Sequence, residues 1–184
     1  MKRFVSLLLV LISLVEILEA QEKTPVELSG DILEYAMPSA ALASTFIWTD
    51  DSKAHWQFIK SLGLAVGTAY ILKQTVDKAR PDFNPYDPRY DAFPSGHTTS
   101  AFLSAAFVER RYGWKVGLPA YAVAGYVAWS RVYAERHDWW DVLGGACIGT
   151  ASAYLFTKAY DSNQLDLALD LSSEHFQLGF TYRF

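Results

Sequence analysis

The sequence has little of the chemistry that disulfides, cysteine-based metal sites or nucleic-acid binding require. Its 184 residues include one cysteine, Cys147, in an apolar run, so neither a disulfide framework nor a cysteine metal site can form within the chain. The 16 lysine and arginine residues are scattered and the net charge is −4, so nucleic acid is not an expected partner. Long uncharged runs are also missing. Residues 116–130 and 142–157 fall short of the roughly 20 apolar residues of a transmembrane helix, so the signal for membrane crossing is marginal.

The start of the chain has the pattern of an export signal. Lys2 and Arg3 precede an apolar stretch over residues 4–15, and the small residue Ala20 follows it. This predicts a secretory signal peptide over residues 1–20, or an uncleaved anchor. Either version directs the remainder to the bacterial cell envelope, in the inner membrane with its site facing the periplasm or in the periplasm itself.

Residues 21–160 are predicted to form one all-α domain of about five core helices. Apolar residues recur at helical spacing, and the spacing predicts helices over about 31–48, 51–79, 96–112, 115–132 and 137–160. Ser29 or Asp31 would cap the first helix, and Gly113 would break the chain after the third. Residues 82–93 are dense in proline, aspartate and asparagine, which is typical of an irregular loop.

The period changes after Asp161. Apolar and polar residues alternate over residues 165–171 and 176–184, which predicts a C-terminal β-hairpin over residues 161–184 with its turn at residues 172–175. We expect this hairpin to pack on the helical domain, and we keep association with the outer membrane as an alternative.

Two clusters of polar residues have the chemistry of a phosphate site. Lys73 and Arg80 are seven residues apart, so on one helix they would share a face two turns apart. Basic residues at a helix C-terminus also complement its dipole, which is the structural alternative. Ser95 can cap a helix, Gly96 lets a ligand approach the backbone closely, and His97 would then lie beside an anion at the helix N-terminus.

A third cluster offers a nucleophile. Arg131 is followed by His137 and Asp141, which are four residues apart and would be neighbours on a helix. The carboxylate could then accept the imidazole N–H and leave the other nitrogen free to attack, although an exposed ion pair would have the same spacing.

Taken together and in this order, the clusters resemble a known signature. The chain is similar to the type 2 phosphatidic acid phosphatase and vanadium haloperoxidase superfamily in three motifs: Lys73-x6-Arg80-Pro81, Pro94-Ser95-Gly96-His97 and Ser130-Arg131-x5-His137-x3-Asp141. The motifs cover residues 73–141, and the order of helices extends the resemblance to about residues 31–160.

The resemblance implies a metal-independent phosphatase without a cofactor. Lys73, Arg80, Ser95, Gly96 and Arg131 would bind the phosphoryl oxygens. The catalytic residues would be His137, which attacks phosphorus, Asp141, which orients it, and His97, which protonates the leaving group. A phosphomonoester or diphosphate would be hydrolysed through a phosphohistidine, and vanadate would inhibit.

The resemblance leaves the substrate open. A lipid is favoured, namely phosphatidate, phosphatidylglycerophosphate, a polyprenyl diphosphate or lipid A. A soluble periplasmic acid phosphatase is the main alternative. A vanadium-dependent haloperoxidase and a non-catalytic head-group binder are the others.

Overall fold

The computed structural model describes residues 23–48, 51, 53–82, 85–86, 89–160, 165–171 and 176–182. These residues form five helices and two strands: α1 (Pro25–Ile47), α2 (Ala54–Thr75), α3 (Gly96–Tyr112), α4 (Trp114–Tyr133), α5 (Trp139–Phe156), β1 (Leu165–Leu171) and β2 (Phe176–Tyr182). The predicted all-α bundle is therefore confirmed. Within the described ranges, no helix has both the length and the apolar character that crossing a bilayer requires. The predicted signal peptide lies outside the described residues, and the division of the chain at residues 20 and 160 stays a prediction.

Helix α3 is the centre of the bundle, because it contacts each of the other four helices. Small residues such as Ala101 and Ala105 allow neighbours to approach it, and both are fully buried. Phe107 on α3 packs perpendicular to Phe58 on α2, with ring centroids 5.0 Å apart. The core therefore surrounds α3 and holds its N-terminus in a fixed position.

Helix α5 runs beside α3 in the same direction. Gly145 lies against Ser95 and Thr98, and Gly149 lies one turn further along, against Thr99 and Leu103. A Cβ on Gly145 would lie 2.6 Å from the Ser95 carbonyl oxygen, so this close approach requires glycine. The two helices consequently begin at the same end of the bundle.

The boundaries of α3 agree with the prediction. Ser95 caps the helix by accepting the Thr98 N–H on its hydroxyl at 3.4 Å. Gly113 follows the helix with φ +86°, a conformation that favours glycine, and separates α3 from α4.

The start of α1 differs from the prediction. Thr24 is the cap, since its hydroxyl accepts the Glu27 N–H at 3.2 Å, and Pro25 occupies the first turn. The predicted caps Ser29 and Asp31 are wrong, and both residues lie inside the helix.

The end of α2 is also earlier than predicted. The helix stops at Thr75, with Val76 extended. Lys78 then pairs with Asp91 in a short bridge, and the Ala92 N–H donates to the Lys78 carbonyl at 3.1 Å. Lys73 and Arg80 therefore do not share a helical face, because pairing with the later part of the loop replaces the last turn of the helix.

The start of α5 lies two residues after the predicted one. Asp138 is the N-cap and forms a capping box with Asp141, so His137 precedes the helix. The prediction that His137 and Asp141 are neighbours on one helix is wrong. The helix ends at Phe156 rather than near residue 160.

Strands β1 and β2 pair antiparallel. Leu165 lies opposite Tyr182, and Leu171 lies opposite Phe176. The predicted turn, residues 172–175, lies outside the described part of the chain. Packing of this pair on the helical domain stays a prediction.

Candidate active site

A polar cavity of about 580 Å³ lies at the N-terminal end of α3, where α1, the end of α2 and the segment before α5 meet. Six of the eight residues predicted from the sequence line it: Lys73, Arg80, Gly96, His97, Arg131 and His137. The other two, Ser95 and Asp141, are fully buried immediately behind it. The fold thus brings together residues as far apart in the sequence as Lys73 and Asp141, which are separated by 68 positions.

Asp91 positions the two cations of the first motif. Its carboxylate accepts both Nε and Nη2 of Arg80 at 2.9 Å, and its backbone carbonyl accepts the Lys73 ammonium. The Arg80 hydrogen bonds are the main reason that the pKa of Asp91 is lowered. Burial lowers the pKa of Lys73, although the charge of Asp91 opposes this. The loop, rather than a helical face, therefore places Arg80 beside Lys73.

The N-terminus of α3 opens on the cavity at Gly96. A Cβ on this residue would meet no atom within 4 Å, so the space next to the backbone is open. The first N–H groups of a helix carry a partial positive charge that attracts anions. Ser95 faces inward, where its hydroxyl also accepts the Thr98 hydroxyl at 3.1 Å. Gly96 is thus on the cavity wall, whereas the Ser95 hydroxyl shapes the helix end.

His97 is held by two carboxylates of α1. Its Nε2 lies 2.9 Å from Asp31 Oδ1 and 2.8 Å from Glu34 Oε2. Burial lowers the pKa of His97, but the hydrogen bonds with Asp31 and Glu34 outweigh it, so the pKa is raised from its ordinary value of 6.5. The imidazolium form is consequently favoured.

Arg131 is 2% exposed and lies against the start of α1. Its guanidinium donates to the Asp31 carboxylate, and its Nη2 donates to the Glu27 carbonyl at 2.6 Å. A Cβ on Gly30 would overlap this guanidinium, so α1 can lie this close only with glycine there. Arg136, to which the sequence assigned no role, also lines the cavity and donates to the Glu27 carboxylate at 2.8 Å.

His137 is 4% exposed and has the opposite electrostatic environment to His97. Burial, followed by the charges of Arg80, Lys73 and His97, lowers its pKa to about 3. A neutral imidazole near neutral pH keeps the lone pair that a nucleophile needs. The two histidines of the cavity are therefore driven toward different protonation states, as in a site that separates nucleophile and acid.

Asp141 lies beside His137 but does not form the predicted hydrogen bond. Its Oδ2 is 3.5 Å from His137 Nδ1, and that nitrogen has no hydrogen-bond partner among the described residues. The carboxylate instead accepts the Asp138 N–H at 3.0 Å and the Lys78 ammonium at 2.7 Å. The capping box thus holds Asp141 next to the imidazole and in contact with a cation that the sequence analysis missed.

The acidic residues of α1 are the main part of the cavity that the sequence analysis missed. Glu27, Asp31 and Glu34 all line it and follow the i, i+4, i+7 spacing of a single helical face. That spacing within an otherwise apolar helix was a usable signal. For Asp91 and Lys78 there was none, because their positions depend on pairing within an irregular loop.

Comparisons with known proteins show which family the chain resembles. A family model described as the PAP2 superfamily matches residues 54–165. The lipid A 4'-phosphatase of Helicobacter pylori is 38% identical over 114 residues, which are 58% of this chain and 58% of that protein. The lipid A 1-phosphatase of Porphyromonas gingivalis is 33% identical over 94 residues, 48% of this chain and 20% of that protein.

This chain therefore matches only part of the length of both relatives. The crystal structure of Aquifex aeolicus LpxE shares the fold, with a TM-score of 0.60 at 21% identity over 73% of this chain and 87% of that one. Since the family model spans more than half of the sequence and includes every residue of the three motifs, this chain belongs to the PAP2 superfamily.

Proposed function

We propose that the protein is a phosphatase that hydrolyses a phosphate ester of a lipid through a phosphohistidine on His137. The observation that carries this proposal is one cavity that brings together the three cations of the motifs, a helix N-terminus and two histidines with oppositely shifted pKa values. Binding alone would require the cations but not a neutral, buried imidazole beside them.

Lys73, Arg80 and Arg131 would bind the phosphoryl oxygens together with the N-terminus of α3 at Gly96. Phosphoryl transfer depends on positioning and on stabilising the charge of the three equatorial oxygens. Three fixed cations supply that charge, so the proposed mechanism requires no metal ion.

The reaction would proceed in two steps. A lone pair on His137 attacks phosphorus, the bond from phosphorus to the ester oxygen breaks, and His97 gives its proton to that oxygen. Water then attacks the phosphohistidine, His97 takes a proton from it, and the bond from phosphorus to nitrogen breaks. The products are an alcohol and inorganic phosphate, and both histidines return to their starting states.

The phosphate of lipid A is the substrate that the comparisons favour. Two relatives with 38% and 33% identity are lipid A phosphatases. Phosphatidate, phosphatidylglycerophosphate and polyprenyl diphosphate belong to the same class of amphiphilic phosphate esters. We place the protein at the bacterial inner membrane, with the cavity facing the periplasm.

The test is phosphate release by the purified protein in detergent, with EDTA present, from lipid A, phosphatidate and a small aryl phosphate. We expect turnover on at least one lipid and a fall of at least about 1000-fold in kcat for His137→Ala, the scale for loss of a nucleophile. His55→Ala is the matched control, since His55 stacks on Phe46 and does not line the cavity. Equal rates in wild type and His137→Ala, or rates abolished by EDTA, would contradict the proposal.

A further inference from the structure

A second cavity of about 240 Å³ lies beside the polar one, between α2 and α3. Glu34, Lys73 and Gly96 line both cavities, so the two adjoin at these residues. The shared residues form the boundary between a charged compartment and a side compartment. We refer to the second one as the side cavity.

The side cavity changes from polar to apolar along α2. Val66, Ala69 and Tyr70 precede Lys73 at the spacing of one helical face. The seven residues from Lys73 back to Val66 extend about 10 Å at about 1.5 Å per residue. Ala69 forms the floor at 6% exposure, whereas Val66 and Tyr70 lie on the open side.

The wall from α3 carries no charge, although it includes the hydroxyls of Thr99 and Ser100. The Thr99 hydroxyl donates to the Ser95 carbonyl at 2.8 Å, so its hydrogen is already used within α3. A ligand in the side cavity would therefore meet charge only at the boundary with the polar cavity. Such a gradient complements an amphiphile whose charged group is at one end.

We infer that the side cavity binds the apolar chain of the substrate, next to the ester oxygen that leaves. This inference rests on the proposed function, because the phosphate must lie against Lys73 and Gly96. Glu34 connects the two compartments, since its carboxylate contacts His97 Nε2 at 2.8 Å and also lines the side cavity. The chain would thus extend from the phosphate on the side where His97 delivers its proton.

The first part of the test measures binding without turnover. A lipid phosphonate, which cannot be hydrolysed, would carry a photoreactive diazirine in its acyl chain and be crosslinked to the full chain. We expect the label on residues 66–70 and 99–100, and we expect an excess of unlabelled phosphonate to displace it. Label distributed elsewhere, or label that no competitor displaces, would overturn the inference.

The second part measures selectivity with a matched pair of variants. Val66→Trp narrows the side cavity, whereas Ile71→Trp places the same new side chain on α2 roughly 140° around the helix. Both positions are exposed, at 53% and 61%, so neither change enters the core. We expect Val66→Trp to raise KM for a long-chain lipid phosphate about tenfold, the scale for excluding two methylene groups. The KM for a small aryl phosphate should change much less, and Ile71→Trp should alter the kinetics of neither substrate.

The outcomes separate this inference from the proposed function. Equal effects of Val66→Trp on both substrates, or no effect on the lipid, would overturn the side-cavity assignment even if wild type is active. Crosslinking at residues 66–70 without any turnover would leave the assignment in place and contradict the phosphatase.

Discussion

Glu34→Gln tests the proposed role of His97 as the acid. The substitution keeps the size of the side chain but removes one of two negative charges next to Nε2, at 2.8 Å. An opposite charge within roughly 4–6 Å favours the charged form of a titratable group, so we expect its removal to lower the pKa of His97. Asp31 would still contact the ring.

The direction of the pH shift follows because the protonated form of His97 is the one that donates the proton. In wild type the raised pKa keeps His97 protonated above its ordinary value of 6.5, and activity that depends on this proton is lost as pH rises through the raised pKa. In Glu34→Gln the same loss of activity begins at lower pH.

The stability of the fold depends on the protonation of His97 in the same direction. The ion pair of His97 stabilises the fold below about pH 6.5 and ceases to do so as pH rises through the raised pKa.

The assay is the pH dependence of kcat on two esters. An alkyl phosphate needs a proton on its leaving oxygen, whereas p-nitrophenyl phosphate releases a stable phenolate. We expect the alkaline limb to move for the alkyl ester and much less for the aryl ester. Glu27→Gln is the control, because Glu27 lies on the same face of α1 but its carboxylate contacts Arg136. An unmoved alkaline limb in Glu34→Gln, or an equal movement in Glu27→Gln, would refute the role assigned to Glu34.

Three further predictions concern the site and its scaffold. Asp91→Asn should lower kcat/KM, measured by steady-state kinetics, by about tenfold or more, because a charge-assisted hydrogen bond contributes about 1.5–3 kcal/mol. An unchanged kcat/KM would mean that Arg80 does not need the Asp91 carboxylate as a partner. Vanadate should inhibit phosphate release competitively, and isothermal titration should detect weaker vanadate binding to His137→Ala; equal affinity for both proteins would contradict direct contact. Gly145→Ala should destabilise the fold by about 1–3 kcal/mol in urea unfolding, because the new Cβ would overlap the backbone at the start of α3. Gly67→Ala is the control, since a Cβ there would have no atom within 4 Å and should not destabilise the fold. Equal stabilities of the two variants would contradict the close packing of α3 and α5.

Local signals explain which parts of the fold could be predicted. The Ser95 cap and the Gly113 break act on their own helix, so both ends of α3 follow from nearby residues. The end of α2 depends instead on pairing between Lys78 and Asp91, which a helical pattern cannot reveal. The position of Arg80 depends on the same pairing. Its residue type was sufficient to assign it to the site, but the prediction that it shares a helical face with Lys73 was wrong.

The candidate site was predictable as a set of residues and not as a set of contacts. The three motifs name the cations and both histidines, because phosphate chemistry requires those side chains. The carboxylates that hold His97 and Arg131 come from α1, far away in sequence, where the acidic spacing is a signal that is equally typical of solvent exposure. Asp141 was assigned correctly to the neighbourhood of His137, but the capping box that engages it depends on where α5 begins.

The different caps of α3 and α5 have an electrostatic consequence. The N-terminus of a helix is equivalent to roughly half a positive charge. At α5 the Asp138 carboxylate accepts the N–H groups of Trp140 and Asp141, so the macrodipole of that helix is neutralised from within. At α3 the cap is the uncharged Ser95, and the partial charge stays available to an external anion. Of two parallel helices that begin side by side, one therefore uses its dipole for its own stability, and the other leaves its dipole available for the phosphate recognition that we propose.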